Sequence, residues 1–258
     1  MARSALPHGG HSMEANNAAR GPVVMHQRWR DLLFLHWDVP AEIVAHTLPT
    51  GLEVDAFEGK AWLGIVPFRM EGVRPRGLPA VPGISAFGEL NLRTYVVGPD
   101  GTPGVWFYSL DAHQRLAVWL ARKLFHLPYV WADIVPRRDG RRVRYAWSRE
   151  GKADREKPSF VYDTPPDAGT TRAAPAEAGG LDAFLVERYV LFSYGAKRGR
   201  LYAGRVVHEP YRIARPEVHA LDASLFERNG FDPPGRSPAH VTWSPGVDVK
   251  ILPLRRIA

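Results

Sequence analysis

Polar side chains that could bind a ligand and exchange protons with it are concentrated in residues 87–110, FGELNLRTYVVGPDGTPGVWFYSL. This segment is typical of two strands joined by a Gly-Pro-Asp-Gly turn. Side chains of a strand alternate between its two faces, so one face of the first strand carries only polar groups: Glu89, Asn91, Arg93 and Tyr95. A carboxylate, an amide, a guanidinium and a phenol in consecutive positions can line a small-molecule pocket.

The second strand returns Trp106, Phe107 and Tyr108 beside this polar face. Glu89 and Arg93 stand about 13 Å apart along the first strand, which is too far for a direct ion pair. A carboxyl group enclosed there would have a raised pKa and could act as an acid or a base. The pattern leaves two interpretations open: an inward face that lines a pocket, or an outward face exposed to solvent.

Standard catalytic and cofactor motifs are missing from the sequence. Cysteine is absent, which excludes thiol nucleophiles and zinc–thiolate sites. There is no H-E-x-x-H zinc motif, no G-x-S-x-G nucleophile elbow and no glycine-rich nucleotide fingerprint. We therefore expect no metal and no cofactor.

Strand-like runs outnumber helical ones by about two to one, and most neighbouring runs read as hairpins. The clearest helix follows Asp111, a candidate N-cap, and ends before Pro128; short helices are expected at 41–48, 181–187 and 221–228. Residues 74–83 and 163–180 are rich in Pro, Ala or Gly and read as loops. The pattern predicts an α+β fold: a bent, closed antiparallel β-sheet or barrel with short outer helices.

Composition limits the classes of partner and the location. The net charge is +7, but the only local arginine cluster, within 137–144, is more typical of a solvated hairpin than of a nucleic-acid site. No apolar run reaches the ~20 residues of a membrane helix, and no signal-peptide pattern is present, so we expect a cytoplasmic protein. Residues 1–22 are expected to be a disordered leader, and 23–258 a single domain.

Six runs of the sequence form a recognisable set: HQRWRDLLFLHWDVP, AWLGIVPFRMEGVRPRGLPAVPG, FGELNLRTYV, GVWFYSLDA, ARKLFHLPY and TWSPGVDVKI. Together they resemble the DUF2071 family, the YqjF-like proteins of bacteria, over roughly residues 23–255. That family is grouped with the acetoacetate decarboxylase-like superfamily. The resemblance implies a closed antiparallel sheet with helices packed outside it, enclosing a small-molecule cavity.

Acetoacetate decarboxylases use a lysine that forms a Schiff base with a β-keto acid, with a second lysine beside it. The helix, turn and proline before those lysines are similar to residues 121–130 of this chain, where Arg122 and Pro128 match. Tyr129 and Val130 stand at the positions of the two lysines. The resemblance therefore implies that no Schiff base can form at that position.

Three residues could still carry out chemistry in such a site. Glu89 looks like the pocket glutamate of the superfamily. Lys123, six positions before Tyr129, could supply an amine, although a lysine on the helix surface is the commoner case. Tyr129 could donate a hydrogen bond, act as an acid or base with a lowered pKa, or simply fill the cavity.

The favoured hypothesis is a protein that acts on a small keto or carboxylate compound by acid/base chemistry without a Schiff base. Glu89 would be the acid or base, Arg93 the carboxylate clamp and Tyr129 the proton donor. Other side chains would bind the substrate: Asn91, Tyr95, Trp106, Tyr108 and Arg122. The alternative is a non-catalytic protein that binds a small molecule in the same cavity. Nucleic acid and membrane are not expected as partners, and a homo-oligomer is left open.

Overall fold

The computed structural model describes residues 21–166 and 173–258. Most of the expected leader and residues 167–172 of the expected loop lie outside this range. Sixteen strands are assigned within it: β1 Met25–Val39, β2 Glu53–Val54, β3 Ala61–Pro75, β4 Phe87–Val97, β5 Pro103–Ala112, β6 Tyr129–Trp131, β7 Asp133–Asp139, β8 Arg142–Ser148, β9 Phe160–Asp163, β10 Ala174–Pro175, β11 Val190–Gly195, β12 Arg200–Val207, β13 Arg212–Ile213, β14 Glu217–Ala220, β15 His240–Ile251 and β16 Arg255–Arg256.

The helices of the described chain are short. They are α1 Ala41–Ala45, α2 Arg115–Phe125, α3 Leu181–Val186 and α4 Ser224–Glu227, with a 3₁₀ turn at Ala196–Arg198. In these residues we find no helix with the length and apolar character needed to cross a membrane. The predicted mixture of many strands and few short helices is therefore confirmed.

Seven strands form a ring of hydrogen-bonded neighbours in the order β4–β3–β1–β15–β12–β11–β5, and β5 pairs again with β4. The predicted closed sheet is thus present. One pairing in the ring differs from the predicted antiparallel arrangement. Strands β5 and β11 are parallel, with Leu191 opposite Val105 and Phe192 opposite Trp106. The chain leaves β5 through α2 and the second sheet before it returns in β11, and so long a crossover allows a parallel pairing.

A second sheet covers the outside of the ring. It has the order β14–β9–β8–β7, and its apolar face packs on the apolar face of β4. Leu90 and Leu92 of β4 share a core with Ile134, Tyr145 and Phe160 of this sheet. Gly88 lies at this contact, where a Cβ would come within 2.4 Å of the Ile134 side chain. The outer face of β4 is therefore packed, and its polar face must point into the ring.

Helix α2 begins later than the sequence predicted. Its N-cap is Gln114, whose side chain accepts a hydrogen bond from the Leu116 amide, so the assignment of Asp111 as N-cap was wrong. The reason is that β5 continues through Ala112, which pairs with Glu89 of β4. Asp111 is instead fully buried, and Arg149 binds its carboxylate through two hydrogen bonds of 2.6 and 2.8 Å.

Strands β2 and β3 follow each other in the chain but do not form a hairpin. β2 pairs with β4, and the turn at Glu58 and Gly59 is closed by a single bridge between Phe57 and Lys60. Both turn residues have positive φ, as such a tight turn requires. The chain diverges after the bridge because the neighbours of β3 in the sheet are β1 and β4.

Candidate functional site

Glu89 is a buried carboxyl group on the inner face of β4. Its side chain is 1 % exposed, and Tyr129 donates a hydrogen bond of 3.1 Å to Glu89 Oε2. Burial raises the pKa of Glu89 to about 8; the neighbouring charge of Asp111 adds to the rise, while hydrogen bonds from Tyr129 and Asn91 oppose it. A carboxyl group with this pKa holds its proton near neutral pH and can both give and accept one.

Tyr129 is held beside Glu89 by its place in the chain. It is the first residue of β6, which pairs in parallel with β5 at Leu110. Arg122 Nε, on the last turn of α2, donates a 2.5 Å hydrogen bond to the Tyr129 carbonyl oxygen. Burial and the Glu89 carboxylate raise the pKa of Tyr129 well above its ordinary value, so the alternative of a lowered pKa was wrong. The phenol is a neutral hydrogen-bond donor.

The next two inward side chains of β4 have polar atoms left free. Asn91 is 6 % exposed, and its Oδ1 has no hydrogen-bond partner among the described residues. Arg93 Nη2 donates to the Leu185 carbonyl oxygen at 2.9 Å, whereas Arg93 Nε is buried and also without a partner in the described chain. Unpaired buried polar atoms are costly, so an acceptor and a donor left free inside the ring are suited to a polar ligand.

Tyr95 belongs to a hydrogen-bonded chain that leaves the ring. Its hydroxyl lies 2.7 Å from His36 Nε2, and His36 Nδ1 lies 2.9 Å from His240 Nδ1. His240 Nε2 then lies 2.5 Å from Asp182 Oδ1. Asp182 is paired with the exposed Arg215 and lines a surface groove of about 590 Å³. The chain thus connects a fully buried phenol to the protein surface.

The directions of these hydrogen bonds follow from the protonation states. Burial lowers the pKa of both His36 and His240, so both rings are neutral at pH 7. A neutral His240 that donates from Nε2 to Asp182 must accept at Nδ1, so His36 donates from Nδ1 and accepts at Nε2 from Tyr95. Arg93 satisfies the Leu185 carbonyl oxygen, which lies only 2.8 Å from the same tyrosine hydroxyl.

An open cleft of about 810 Å³ lies where β5 and β11 diverge, beside the last turn of α2. It is lined by three of the predicted substrate-binding residues, Trp106, Tyr108 and Arg122, together with residues of β11 and the 3₁₀ turn. A register shift between β4 and β5 leaves Tyr108 without a partner on β4. That bulge lets adjacent β5 residues line the cleft. Phe107 lines it and also packs against the clusters that contain Tyr95 and Tyr129.

The structure thus divides the predicted site into three parts. Glu89, Asn91 and Tyr129 lie together; Arg93 and Tyr95 form a second group on the same face; and the aromatic residues with Arg122 line the cleft. Glu89 and Arg93 have different partners, as their predicted spacing requires.

The model of one protein family matches residues 26–248, which is most of the chain. That family is DUF2071, described as an uncharacterized conserved protein. The chain belongs to the DUF2071 family. It is 38% identical over 236 residues to the uncharacterized protein YqjF of Bacillus subtilis (strain 168), which covers 92% of this chain and 93% of YqjF.

Solved structures with the same fold include acetoacetate decarboxylases and an enzyme of enduracididine biosynthesis. Acetoacetate decarboxylase from Legionella pneumophila matches with a TM-score of 0.61 and 11% identity, covering 100% of this chain and 98% of that one. An acetoacetate decarboxylase-like enzyme from Sphingomonas wittichii RW1 matches with a TM-score of 0.59 and 14% identity, covering 92% and 94%. The enduracididine biosynthesis enzyme MppR, in complex with pyruvate, matches at 0.60 and 14%, covering 93% and 92%. This DUF2071 protein has the acetoacetate decarboxylase-like fold.

Sequence reasoning missed the groups contributed by distant elements. His36 lies on β1, His240 on β15 and Asp182 on α3, and no local spacing connects them. Ser193 was also missed: it is 1 % exposed, lines the cleft, and its Oγ has no partner among the described residues. The available signal was a serine directly after the apolar run Val190–Phe192, which predicts a buried hydroxyl but not its surroundings.

Proposed function

We propose that this DUF2071 protein binds a small keto or carboxylate compound and transfers a proton at it, with Glu89 as the acid or base. The observation that carries the proposal is the buried pair of Glu89 and Tyr129, 3.1 Å apart, in which the pKa of Glu89 is raised to about 8. Such a pKa near the working pH is what general acid/base catalysis needs.

Each neighbouring group has a role in this proposal. Ionised Glu89 takes a proton from a carbon next to the substrate carbonyl, and the electron pair moves onto the carbonyl oxygen. Once Glu89 holds the proton, the neutral Tyr129 hydroxyl turns its single donor from Glu89 Oε2 to that oxygen. Return of the proton from Glu89 completes the cycle. Asn91 orients the substrate, and Arg93 binds its carboxylate.

A covalent lysine has no place in this chemistry. The lysine side chains that the structure describes are all exposed, and Lys123 lies on the outer surface of α2 with Nζ 4.2 Å from the centre of the Trp119 ring. A Schiff-base amine needs a site that keeps it neutral, which an exposed position does not provide. The structure of MppR with pyruvate supports a keto acid as the ligand class for this fold.

Proton transfer can be measured without knowing the natural substrate. A panel of keto acids is incubated with the protein in D₂O, and exchange of the protons next to the carbonyl is followed by NMR. We expect exchange above the buffer rate, a loss of about 10²-fold or more in Glu89→Gln, and a smaller loss in Tyr129→Phe. Glu53→Gln, an exposed carboxylate on the same sheet, is the matched control.

Two results would contradict the proposal. Exchange that survives in Glu89→Gln would remove Glu89 from the chemistry. No exchange with any bound keto acid would favour the non-catalytic binding protein. Borohydride treatment followed by mass measurement tests the covalent route separately, because an adduct on any lysine would restore Schiff-base chemistry.

The same proposal includes a cytoplasmic location, consistent with the absence of cysteine. A single domain over 23–258 stays a prediction, and a homo-oligomer stays open, as the sequence left it.

A further inference from the structure

The open cleft beside α2 has a composition that selects a class of ligand. Its walls carry seven aromatic rings: Trp106, Phe107, Tyr108, His126, Phe192, Tyr194 and Tyr202. His126 and Tyr202 stack with their ring centres 4.9 Å apart and their planes at 28°. Only His126 and Tyr194 of these are exposed, Phe192 is buried and the other four are half-buried. The rings therefore form a recessed aromatic wall, which is typical of sites that hold an apolar, planar group.

The charged side chains that the structure describes along the cleft are all positive. Arg122 and Arg198 line it, and none of the described residues that line it is acidic. Neither arginine has a carboxylate partner within the described chain. Arg122 donates one hydrogen bond there, from Nε to the Tyr129 carbonyl oxygen, so its two Nη groups are available to a ligand. Arginine binds carboxylates through paired donors, so two unneutralised guanidinium groups here favour an organic anion.

A buried hydroxyl adds a specific polar contact. Ser193 lines the cleft from β11, is 1 % exposed, and leaves Oγ without a partner in the described structure. A buried hydroxyl without a partner carries a free-energy cost that a bound ligand would remove. Cationic groups, aromatic walls and a free hydroxyl therefore converge on one cleft.

The size of the cleft excludes a short-chain acid as a good fit. Its volume of about 810 Å³ lies within the roughly 300–1,000 Å³ of sites for drug-sized ligands. A keto acid of three or four carbons would leave most of the aromatic wall in contact with water. A ligand that fills the cleft must carry a ring as well as a charge.

We propose that this cleft binds the anion of an aromatic carboxylic acid, with the ring against the aromatic wall and the carboxylate on Arg122 and Arg198. Ser193 Oγ hydrogen-bonds a polar group of the same ligand. The proposal deepens the proposed function by naming the substrate class, and it rests on that function in taking the cleft as the approach to Glu89 and Tyr129. Neither of these two residues lines the cleft, but Arg122 does, and its Nε donates to the Tyr129 carbonyl oxygen.

Three unreactive probes separate the ring from the charge: 3-phenylpropionate, propionate and 3-phenylpropanol. Isothermal titration calorimetry on the full chain measures their affinities. We expect 3-phenylpropionate to bind at least about tenfold more tightly than either of the other two. Equal affinities of 3-phenylpropionate and propionate, equal affinities of 3-phenylpropionate and 3-phenylpropanol, or no binding of 3-phenylpropionate at millimolar concentration would each overturn the proposal.

Variants then locate the site. Arg122→Gln and Arg198→Gln should each weaken 3-phenylpropionate about tenfold, while the exposed Arg155→Gln, outside the cleft, should leave its affinity unchanged. Ser193→Ala removes a buried hydroxyl that has no protein partner, so it should not lower the unfolding midpoint. It should lower the affinity for the aromatic keto acid phenylpyruvate severalfold. Unchanged affinities in both arginine variants would place the anion elsewhere.

Failure of the proposed catalytic function and failure of the aromatic-acid site give different experimental results. Tight binding of 3-phenylpropionate in wild type and Glu89→Gln, without proton exchange on phenylpyruvate, would retain the aromatic-acid site and remove the catalytic role. Proton exchange that is equally efficient on pyruvate and phenylpyruvate would retain the catalytic role and remove the aromatic specificity.

Discussion

Glu89 makes the stability of the protein depend on pH in a direction opposite to that of most carboxylates. Its pKa is about 8 in the folded chain and 4.5 in the unfolded chain. Between these values the folded state holds a proton that the unfolded state has lost, so the free energy of unfolding decreases as pH rises. A difference of about 3.5 pKa units at 1.36 kcal/mol each corresponds to about 5 kcal/mol lost between pH 4.5 and 8.

Glu89→Gln should abolish this loss. Glutamine has the shape of the protonated acid and can accept the hydrogen bond from Tyr129, but it cannot ionise. Urea unfolding of wild type and variant at pH 5, 6, 7 and 8 gives the two stability curves. We expect the variant to gain on wild type by several kcal/mol across this range, which is a large part of the 5–15 kcal/mol of a typical domain.

The unfolding free energy of wild type is compared with that of variants at each pH, because other groups also titrate between pH 5 and 8. Glu53→Gln, which changes an exposed carboxylate, should follow the wild-type curve. Parallel curves for wild type and Glu89→Gln would show that Glu89 ionises without cost in the folded protein. That result would refute the burial argument and the acid/base role built on it.

Further predictions concern the groups behind the site. Tyr95→Phe leaves the buried Nε2 of His36 without a donor and should cost about 1–3 kcal/mol of unfolding free energy in urea titration. Gly64→Ala places a Cβ 2.6 Å from the His36 ring and should cost about 1–3 kcal/mol by overpacking; an unchanged midpoint would show that the ring can move. Nitrogen-15 NMR at pH 7 should find His36 protonated at Nδ1 and His240 at Nε2; the reverse tautomers would contradict the derived hydrogen-bond directions. His208 has a pKa lowered by burial to about 4, so it should remove about 3 kcal/mol as pH falls from 6.5 to 4, and His208→Asn should flatten that part of the curve.

The sequence determined the fold class and the inner strand because both depend on local periodicity. The alternation of β4 grouped Glu89, Asn91, Arg93 and Tyr95 on one face, and the structure places that face inside the ring. The choice between an inward and an outward face was not available locally. It depends on the second sheet, which covers the apolar face of β4, so that the polar face turns into the ring.

Other features depended on long-range pairing and could not be read from neighbouring residues. Asp111 looked like a helix cap because an acidic residue precedes the helix, but its pairing within β5 carries it into the core beside Arg149. The pKa of Glu89 depends on burial that only the closed ring provides. His36 and His240 lie 204 residues apart and meet only because β1 and β15 are neighbours in the sheet. The residue types of the site were therefore determined by the sequence, and their protonation, partners and access to ligand were decided by the tertiary structure, since desolvation and hydrogen bonding depend on which distant segments surround each group.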